Sequence, residues 1–157
     1  MMNKKLPLHD IDISRYVPSL LSVLNNRLSS SASDLYLQNF DVGINEWRIM
    51  VVLARQPGMS AKSISELAAI HQTVISRSLR EMEKKGFIAF DKGKWERLIE
   101  LTTLGAETYE KVLKIALQRE QLLLDGFSDA EREHLIEFLR RMNGNVALVD
   151  SLKPNLK

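Results

Sequence analysis

Apolar residues recur at helical spacing through most of this chain. Near the N-terminus they mark one face of a long first helix that runs on toward Leu37, namely Ile13, Val17, Leu20, Leu21, Leu24 and Leu28. A second helix is predicted over residues 45–55, ending at the Gln-Pro-Gly sequence of 56–58, with the following side chains directed inward: Trp47, Met50, Val51 and Ala54. The pattern predicts a mainly α protein.

The centre of the chain, from Ser60 to Gly105, has a mixed pattern. Ser60 is a predicted N-cap, and the helix after it buries Ile64, Leu67 and Ala68. A polar break precedes a second helix, with an apolar face of Val74, Ile75, Leu79 and Met82. Strands at 87–90 and 97–101 flank a polar turn, and Thr102 or Thr103 is expected to cap the next helix. This order predicts a winged helix-turn-helix, which places one helix in the DNA major groove and a hairpin beside it.

Two further amphipathic helices follow the module. The first is striped by Tyr109, Val112, Leu113, Ala116 and Leu117, and Gly126 interrupts it after a run of leucines at 122–124. Ser128 to Glu131 then forms a capping box for a last helix whose apolar face is Leu135, Phe138, Leu139, Met142 and Val146.

The terminal helices carry more apolar surface than a small module can cover. We therefore expect a two-fold homodimer in which these helices pack against their symmetry mates. Such a dimer places two recognition helices about 34 Å apart, a spacing suited to a palindromic operator in double-stranded DNA. Residues 1–40 and 104–157 are the predicted dimerisation helices, and residues 41–103 are the predicted winged helix-turn-helix DNA-binding domain.

The second helix of the module carries the polar side chains that we expect to contact DNA, namely Gln72, Thr73, Ser76, Arg77 and Arg80. In the turn of the hairpin, Lys92 and Lys94 are expected to reach the minor groove or its phosphates. Each assignment has a structural alternative. Arg77 can pair with Glu81 four residues on, Thr73 can cap the helix, and the two lysines can belong to a solvated turn.

The composition of the chain limits the kinds of functional site that it can form. The formal net charge is only +2 over 157 residues, so the basic patch is local to the module, where acidic residues are interleaved with Arg77, Arg80, Lys84, Lys85, Lys92, Lys94 and Arg97. The absence of cysteine excludes disulfides and thiolate zinc sites and fits a reducing cytoplasm. His9, His71 and His134 lack metal-ligand spacing, and no nucleophile elbow or phosphate-binding loop occurs. We expect no enzyme activity, no metal and no cofactor.

Three stretches carry a resemblance to a known family: GINEWRIMVVLARQPGMSAKSISELAAI, TVISRSLREMEKKGFI and LIELTTLG. With these motifs the chain resembles the MarR family of bacterial transcription regulators. The family often has an Asp-x-Arg cluster in the wing, whereas this chain has Gly93, Lys94 and Trp95 there, so the tip cation is Lys94, a lysine without the planar guanidinium fork. Trp95 is expected to pack within the wing.

The resemblance implies a triangular dimer with an effector pocket between the dimer helices and the winged module. A small aromatic acid would bind there, and the expected ligand-binding residues are Arg15, Tyr16, Ser19, Asn26, Trp47 and Arg48. The function implied is a repressor released by a small anionic aromatic ligand. Two alternatives stay open at this stage, a constitutive DNA-binding or architectural protein without an effector and a winged helix that binds another protein.

Overall fold

A computed structural model describes residues 10–91 and 97–154 of the chain. The chain divides into two compact units, one up to Leu113 and one from Lys114 onward. In chain order the elements are α1 (Val17–Phe40), α2 (Ile44–Arg55), α3 (Ala61–Ala68), α4 (Gln72–Lys84), β1 (Ile88–Phe90), β2 (Ile99–Leu101), α5 (Thr103–Leu123), α6 (Asp129–Gly144) and α7 (Val146–Asp150). The predicted fold class, mainly α with a small β wing, is confirmed.

The core of the first unit forms where α2, α3 and α4 meet the hairpin. Its fully buried side chains come from every one of these elements, with Val112 from α5, and they are Val42, Ile49, Met50, Leu53, Ile64, Ile75, Met82, Ile99 and Val112. Because burial of this apolar surface stabilises the module without help from the second unit, the winged part has its own core.

The predicted face of α2 was set one residue off, whereas the predicted faces of α3 and α4 are confirmed except for one exposed residue each. In α2 the buried residues are Glu46, Ile49, Met50 and Leu53, spaced i, i+3, i+4 and i+7, so Val51 and Ala54 lie outside the stripe and are exposed. Leu67 of α3 is 58% exposed and Val74 of α4 is 37% exposed. Each lies next to a buried position, and successive residues differ by about 100° around a helix. Such a rotation turns an apolar neighbour out of the core.

The turn between α3 and α4 is fixed by hydrogen bonds at both ends of α3. Ser60 is the N-cap, as predicted, and its hydroxyl accepts a hydrogen bond from the Ser63 amide. At the other end Ala69 adopts the left-handed conformation with a φ of 50°. The Ser65 hydroxyl donates to the carbonyl oxygen of Ile70 over 2.7 Å, and the Ile70 amide donates to the carbonyl oxygen of Ser65. These contacts set the angle at which α4 leaves α3.

The wing is a short antiparallel hairpin. Strands β1 and β2 pair in the register Ile88 with Leu101 and Phe90 with Ile99. The other edge of β2 is also paired, because Ile99 exchanges backbone hydrogen bonds with Met59 at 2.9 and 3.3 Å. The base of the wing is therefore tied to the segment before α3, while residues 92–96 lie outside the described residues.

The start of α5 lies against β1, and two residues of the LTTLG sequence make this possible. Thr102 is the residue that caps α5, since its hydroxyl oxygen accepts from the Gly105 amide over 3.0 Å. The same hydroxyl donates to the carbonyl oxygen of Gly86. A Cβ atom at position 105 would lie 1.9 Å from the carbonyl oxygen of Phe87. Only glycine allows the two backbones to approach this closely.

The second unit begins in the C-terminal part of α5. Gly126 has a φ of 83° and separates α5 from α6. The predicted capping box is present, because the Ser128 amide donates to the Glu131 carboxylate and the Glu131 amide donates to the Ser128 hydroxyl. The single last helix of the prediction is divided at Asn145 into α6 and α7. Within the described ranges, no helix is both long and apolar enough to cross a membrane.

We predict that Gly105→Ala destabilises the protein. The new methyl group meets the Phe87 backbone, which cannot move without breaking the hairpin register, so the free energy of unfolding should fall by about 2 kcal/mol or more. Urea denaturation followed by circular dichroism measures the change.

Gly144→Ala is the matched control, because a Cβ there has no neighbour within 4 Å. Its stability should stay the same or rise by up to about 1 kcal/mol, as alanine is the better helix former. Equal stability of the Gly105→Ala variant and the wild type would contradict the close-approach explanation.

Candidate DNA interface

Helix α4 has one polar exposed face and one buried face. The exposed face, called here the α4 polar face, consists of Gln72, Thr73, Ser76, Arg77 and Arg80. At about 100° per residue these five positions fall within about 140° of the helix circumference. The buried side chains of α4 are Ile75, Leu79 and Met82. All five α4 residues predicted to contact DNA therefore share one accessible surface.

The N-terminus of α4 is capped by His71. Its ring Nδ1 atom accepts from the Thr73 amide at 3.4 Å and lies 2.9 Å from the Thr73 hydroxyl. Thr73 is thus a first-turn residue held by the cap and is not the cap itself. The backbone conformation of His71 ends the turn after α3, and the cap satisfies an amide that the helix leaves unpaired.

Arg77 has no hydrogen bond or salt bridge to any residue within 10–91 and 97–154. The Glu81 carboxylate forms its salt bridge with the ammonium group of Lys84 at 3.0 Å, and Arg77 acts on Glu81 only through its charge. That hydrogen bond and the charge of Lys84 lower the pKa of Glu81. Arg77 instead borders a groove of about 730 Å³ between α4 and the start of α2, where Gly43 and Asn45 lie. Its five donors are available to an anionic partner.

Two other residues of the α4 polar face bond back to their own helix. The Ser76 hydroxyl donates to the carbonyl oxygen of Gln72 at 2.9 Å, and the Arg80 Nε atom donates to the carbonyl oxygen of Ser76 at 3.2 Å. The terminal N–H donors of the Arg80 guanidinium group are not used by this hydrogen bond. The two hydroxyls, the amide and the two guanidinium groups of this helix face are the kinds of group that read base edges and bind phosphates.

Lys85 directly after α4 is engaged inside the protein. Its ammonium group lies 3.0 Å from a carboxylate oxygen of Glu46 on α2 and donates to the carbonyl oxygen of Asp41 at 2.7 Å. Glu46 is 7% exposed and also accepts from the Gly43 amide. Burial alone lowers the pKa of Lys85, but the hydrogen bonds and charges of Glu46 and then Asp41 outweigh it and raise that pKa. This lysine anchors the helix and is not part of the basic DNA-facing surface.

The wing is described only at its base. The predicted contacts Lys92 and Lys94, together with Gly93 and Trp95, lie outside the described residues. At the edge of the described hairpin, the guanidinium carbon of Arg97 lies 4.3 Å from the centre of the Phe90 ring. A basic residue of the wing is therefore held at a defined position beside β1.

The predicted ligand-binding residues fall in two separate groups. Arg15, Tyr16, Ser19 and Asn26 lie at or before the first half of α1, exposed except for the half-buried Ser19. On α2, the Trp47 ring stacks on Tyr109 at 5.4 Å and meets Tyr36 edge-on at 5.8 Å. Arg48 donates to the carbonyl oxygen of Ala68 at the end of α3 over 2.7 Å. In the described part of the chain, no hydrogen bond or ring contact joins the α1 group to the α2 group.

The two histidines that the structure describes are engaged in other contacts. His71 is the helix cap, the ring of His134 stacks on Phe138 at 6.3 Å, and His9 lies outside the described residues. Among the residues that the structure describes, no three His, Asp or Glu side chains cluster in a way that could hold a metal ion.

Comparison with known proteins identifies this architecture. A model of the MarR family matches residues 43–94. A MarR/EmrR family transcriptional regulator from Acinetobacter sp. ADP1 is 31% identical in sequence, with a TM-score of 0.82 over 88% of this chain and 99% of that one. The chain belongs to the MarR family.

Two further relatives are consistent with this assignment. The HTH-type transcriptional regulator YybA of Bacillus subtilis is 21% identical over 123 residues, covering 76% of this chain and 82% of YybA. A MarR-family regulator from Listeria monocytogenes, at 19% identity, shares the fold with a TM-score of 0.76 over 94% of this chain and 99% of its own. The relatives named here are transcriptional regulators, and this MarR protein is a DNA-binding transcriptional regulator of the same family.

Some MarR-module contacts were invisible to sequence reasoning. The Lys85–Glu46 pair joins residues 39 positions apart, and a lysine after a helix is equally well explained by the helix dipole. The Trp47 ring contacts Tyr36, which lies on α1, and Tyr109, which lies on α5. The signal that could have suggested the ion pair is Glu46 itself, a charged residue within the apolar stripe of α2.

We predict that Lys85→Met lowers the free energy of unfolding by about 2 kcal/mol, since it leaves the buried Glu46 carboxylate without its counter-ion. Because Lys85 has a raised pKa, its contribution is fully present below the ordinary lysine value of 10.5 and is lost as the pH rises through the folded-state value. Urea denaturation at pH 8 and above pH 10.5 measures both effects.

Lys84→Met provides the control at the neighbouring position, where the lysine side chain is 71% exposed. Loss of this surface pair should change stability little. If both variants were equally stable at pH 8, the anchoring role of Lys85 would be wrong.

Proposed function

We propose that this MarR protein is a homodimeric cytoplasmic repressor that binds a palindromic operator through α4 of each protomer. The observation that carries the proposal is the α4 polar face, on which Arg77 is exposed and has no partner among the described residues. A guanidinium group left unpaired beside hydroxyl and amide groups suits bidentate hydrogen bonding to guanine or contact with phosphate. Gln72, Thr73, Ser76 and Arg80 complete the proposed contact set.

Exposed apolar surface supports the homodimer. In the first unit, α1 and the residues before it expose Ile13, Val17, Leu20, Leu21 and Leu24. In the second unit, α6 and α7 bury no residue within the chain, and Leu122, at 77% exposed, is followed by Phe138, Leu139, Val146, Leu148 and Val149 as exposed apolar side chains. Surfaces of this kind mark interfaces. We therefore assign residues 1–40 and 104–157 to dimerisation and 41–103 to DNA binding.

Solved relatives support DNA as the partner. MepR of S. aureus, 23% identical with a TM-score of 0.74, was crystallised as a DNA complex, and the Listeria monocytogenes protein was crystallised with a 26mer DNA. In the proposed complex each α4 enters a major groove, and the two grooves lie one helical turn apart. Lys92 and Lys94 at the wing tip reach toward the adjacent minor groove.

The proposed effector is a small anionic aromatic compound. The half-buried Trp47 ring, stacked on Tyr109, offers an aromatic surface, and Arg15 offers an exposed cation. Together with Tyr16, Ser19 and Asn26, these residues form the proposed pocket. Arg48 ties α2 to the end of α3, so a ligand carboxylate that takes Arg48 away from Ala68 would loosen the support of α4. Ligand binding would then favour a state of lower DNA affinity.

We predict that Arg77→Ala weakens operator binding by at least about tenfold per half-site, through loss of a base or phosphate contact. A duplex selected in vitro by the wild-type protein from random DNA serves as the operator, and gel shift measures the affinity. Arg55→Ala at the end of α2 makes the same change of charge, outside the dimerisation helices and the proposed contact set, and should bind like the wild type. Arg77→Ala binding as tightly as Arg55→Ala would rule out the α4 polar face as the reader.

We predict that benzoate raises the melting temperature and weakens operator binding, whereas benzyl alcohol, which keeps the ring but lacks the charge, does neither. Thermal denaturation and gel shift with both compounds make the measurement. Arg15→Ala should reduce the response to benzoate. If neither benzoate nor any of a panel of phenolic acids changes either quantity, the effector half of the proposal fails and constitutive DNA binding is left.

A further inference from the structure

Arg97 is a wing residue whose geometry the fold restrains. It follows the undescribed tip and precedes the ladder pair of Ile99 with Phe90. Residues 97 and 99 lie on the same face of this strand, so Arg97 is a diagonal neighbour of Phe90 across the hairpin. The guanidinium carbon lies 4.3 Å from the ring centre, close enough for a cation–π contact.

The contact with Phe90 is a cation–π contact of the guanidinium carbon with the ring face, and no hydrogen bond between the two side chains is involved. The N–H donors of Arg97 are therefore left for other partners. Arg97 is exposed, and no carboxylate in residues 10–91 or 97–154 forms a salt bridge with it. The group is a positioned cation with free donors.

The two lysines at the end of α4 are already paired. Lys85 binds Glu46 and Asp41, and Lys84 binds Glu81. Arg97 differs from these two lysines because it forms no salt bridge with a described residue, so its charge is available to an external anion. It also differs from the lysines of the tip in chemistry, because its fork can bind two phosphate oxygens at once.

We propose that Arg97 is a phosphate clamp at the base of the wing, binding the DNA backbone beside the groove that α4 reads. This inference rests on the proposed DNA-binding function and adds a contact outside the residues assigned to it. Phe90 holds the guanidinium group back against the strand, at the base of the wing. In this position the guanidinium group can contact DNA phosphates at the edge of a groove. Contact with base edges inside the groove would need a side chain that extends from the wing tip.

Phe90 has a matching role as a positioning residue. Its ring restricts the rotamers of Arg97 before DNA arrives, which reduces the conformational entropy lost on binding. Replacement of the ring keeps the charge and removes the restraint. The effect of the Arg97 charge on DNA binding and the effect of its positioning by Phe90 can thus be measured separately with two variants.

The experiment measures binding of a fluorescent operator duplex, selected by the wild-type protein, at a series of salt concentrations. Each phosphate contact contributes about 0.9 to the slope of log affinity against log salt. Arg97→Gln should reduce this slope by about 2 in the dimer and weaken binding about tenfold at low salt, equally for operator and unrelated DNA. Phe90→Leu should keep the slope and weaken binding severalfold.

Arg55→Gln is the charge-matched control, because Arg55 is exposed at the end of α2, outside the dimerisation helices and the proposed contact set, and it should keep both slope and affinity. If Arg97→Gln keeps the slope and affinity of the control, and its melting temperature equals that of the wild type, the proposed role of Arg97 as a phosphate clamp is wrong. A loss of base preference without a change of slope also overturns it, since Arg97 would then read bases. If the wild-type protein selects no DNA and shows no salt-dependent binding, the proposed function itself fails, and the clamp falls with it.

Discussion

The C-terminal end of α4 is fixed by the contact of Lys85 with Glu46 and with the carbonyl oxygen of Asp41. The apolar contacts of α4 bury its inner face, but they are non-directional and leave its rotation loosely determined. An ion pair with a nearly buried carboxylate is directional, and breaking it leaves an uncompensated charge. The orientation of the α4 polar face, the proposed DNA-contacting surface, therefore depends on a contact outside that face.

This contact also connects the two roles of the chain. Asp41 ends α1 in the left-handed conformation, and Glu46 lies in the first turn of α2. In the proposed dimer α1 belongs to the dimerisation helices. Helix α2 carries Trp47 and Arg48 of the proposed effector pocket. Lys85 joins the end of α4 to Asp41 and Glu46, and Arg48 joins α2 to the end of α3, which precedes α4. Allosteric release of DNA would use these two links.

The sequence was sufficient for the order of most elements and for several of their ends, because caps and glycines act locally. Ser60 and Ser128 cap the starts of α3 and α6, and Gly126 separates α5 from α6, as predicted, whereas the division of the last helix at Asn145 was not predicted. It was insufficient for contacts between elements. The stripe of α2 was set one residue off, and the pairs Lys85–Glu46 and Arg97–Phe90 depend on packing and strand register that periodicity does not encode. The glycine of the LTTLG sequence is explained by a tertiary contact, the close approach of Gly105 to the Phe87 backbone, which the sequence pattern does not reveal.

The central claim is that α4 of each protomer enters a major groove. Because the chain has no cysteine, a Glu83→Cys variant carries one unique attachment point for an iron–EDTA reagent, and position 83 lies two turns after Ser76 on the same side of α4. Cleavage of operator DNA by this conjugate measures where α4 lies. We expect two symmetric clusters of cleavage about 10 base pairs apart. A single cluster, or cleavage spread evenly along the duplex, would contradict the account.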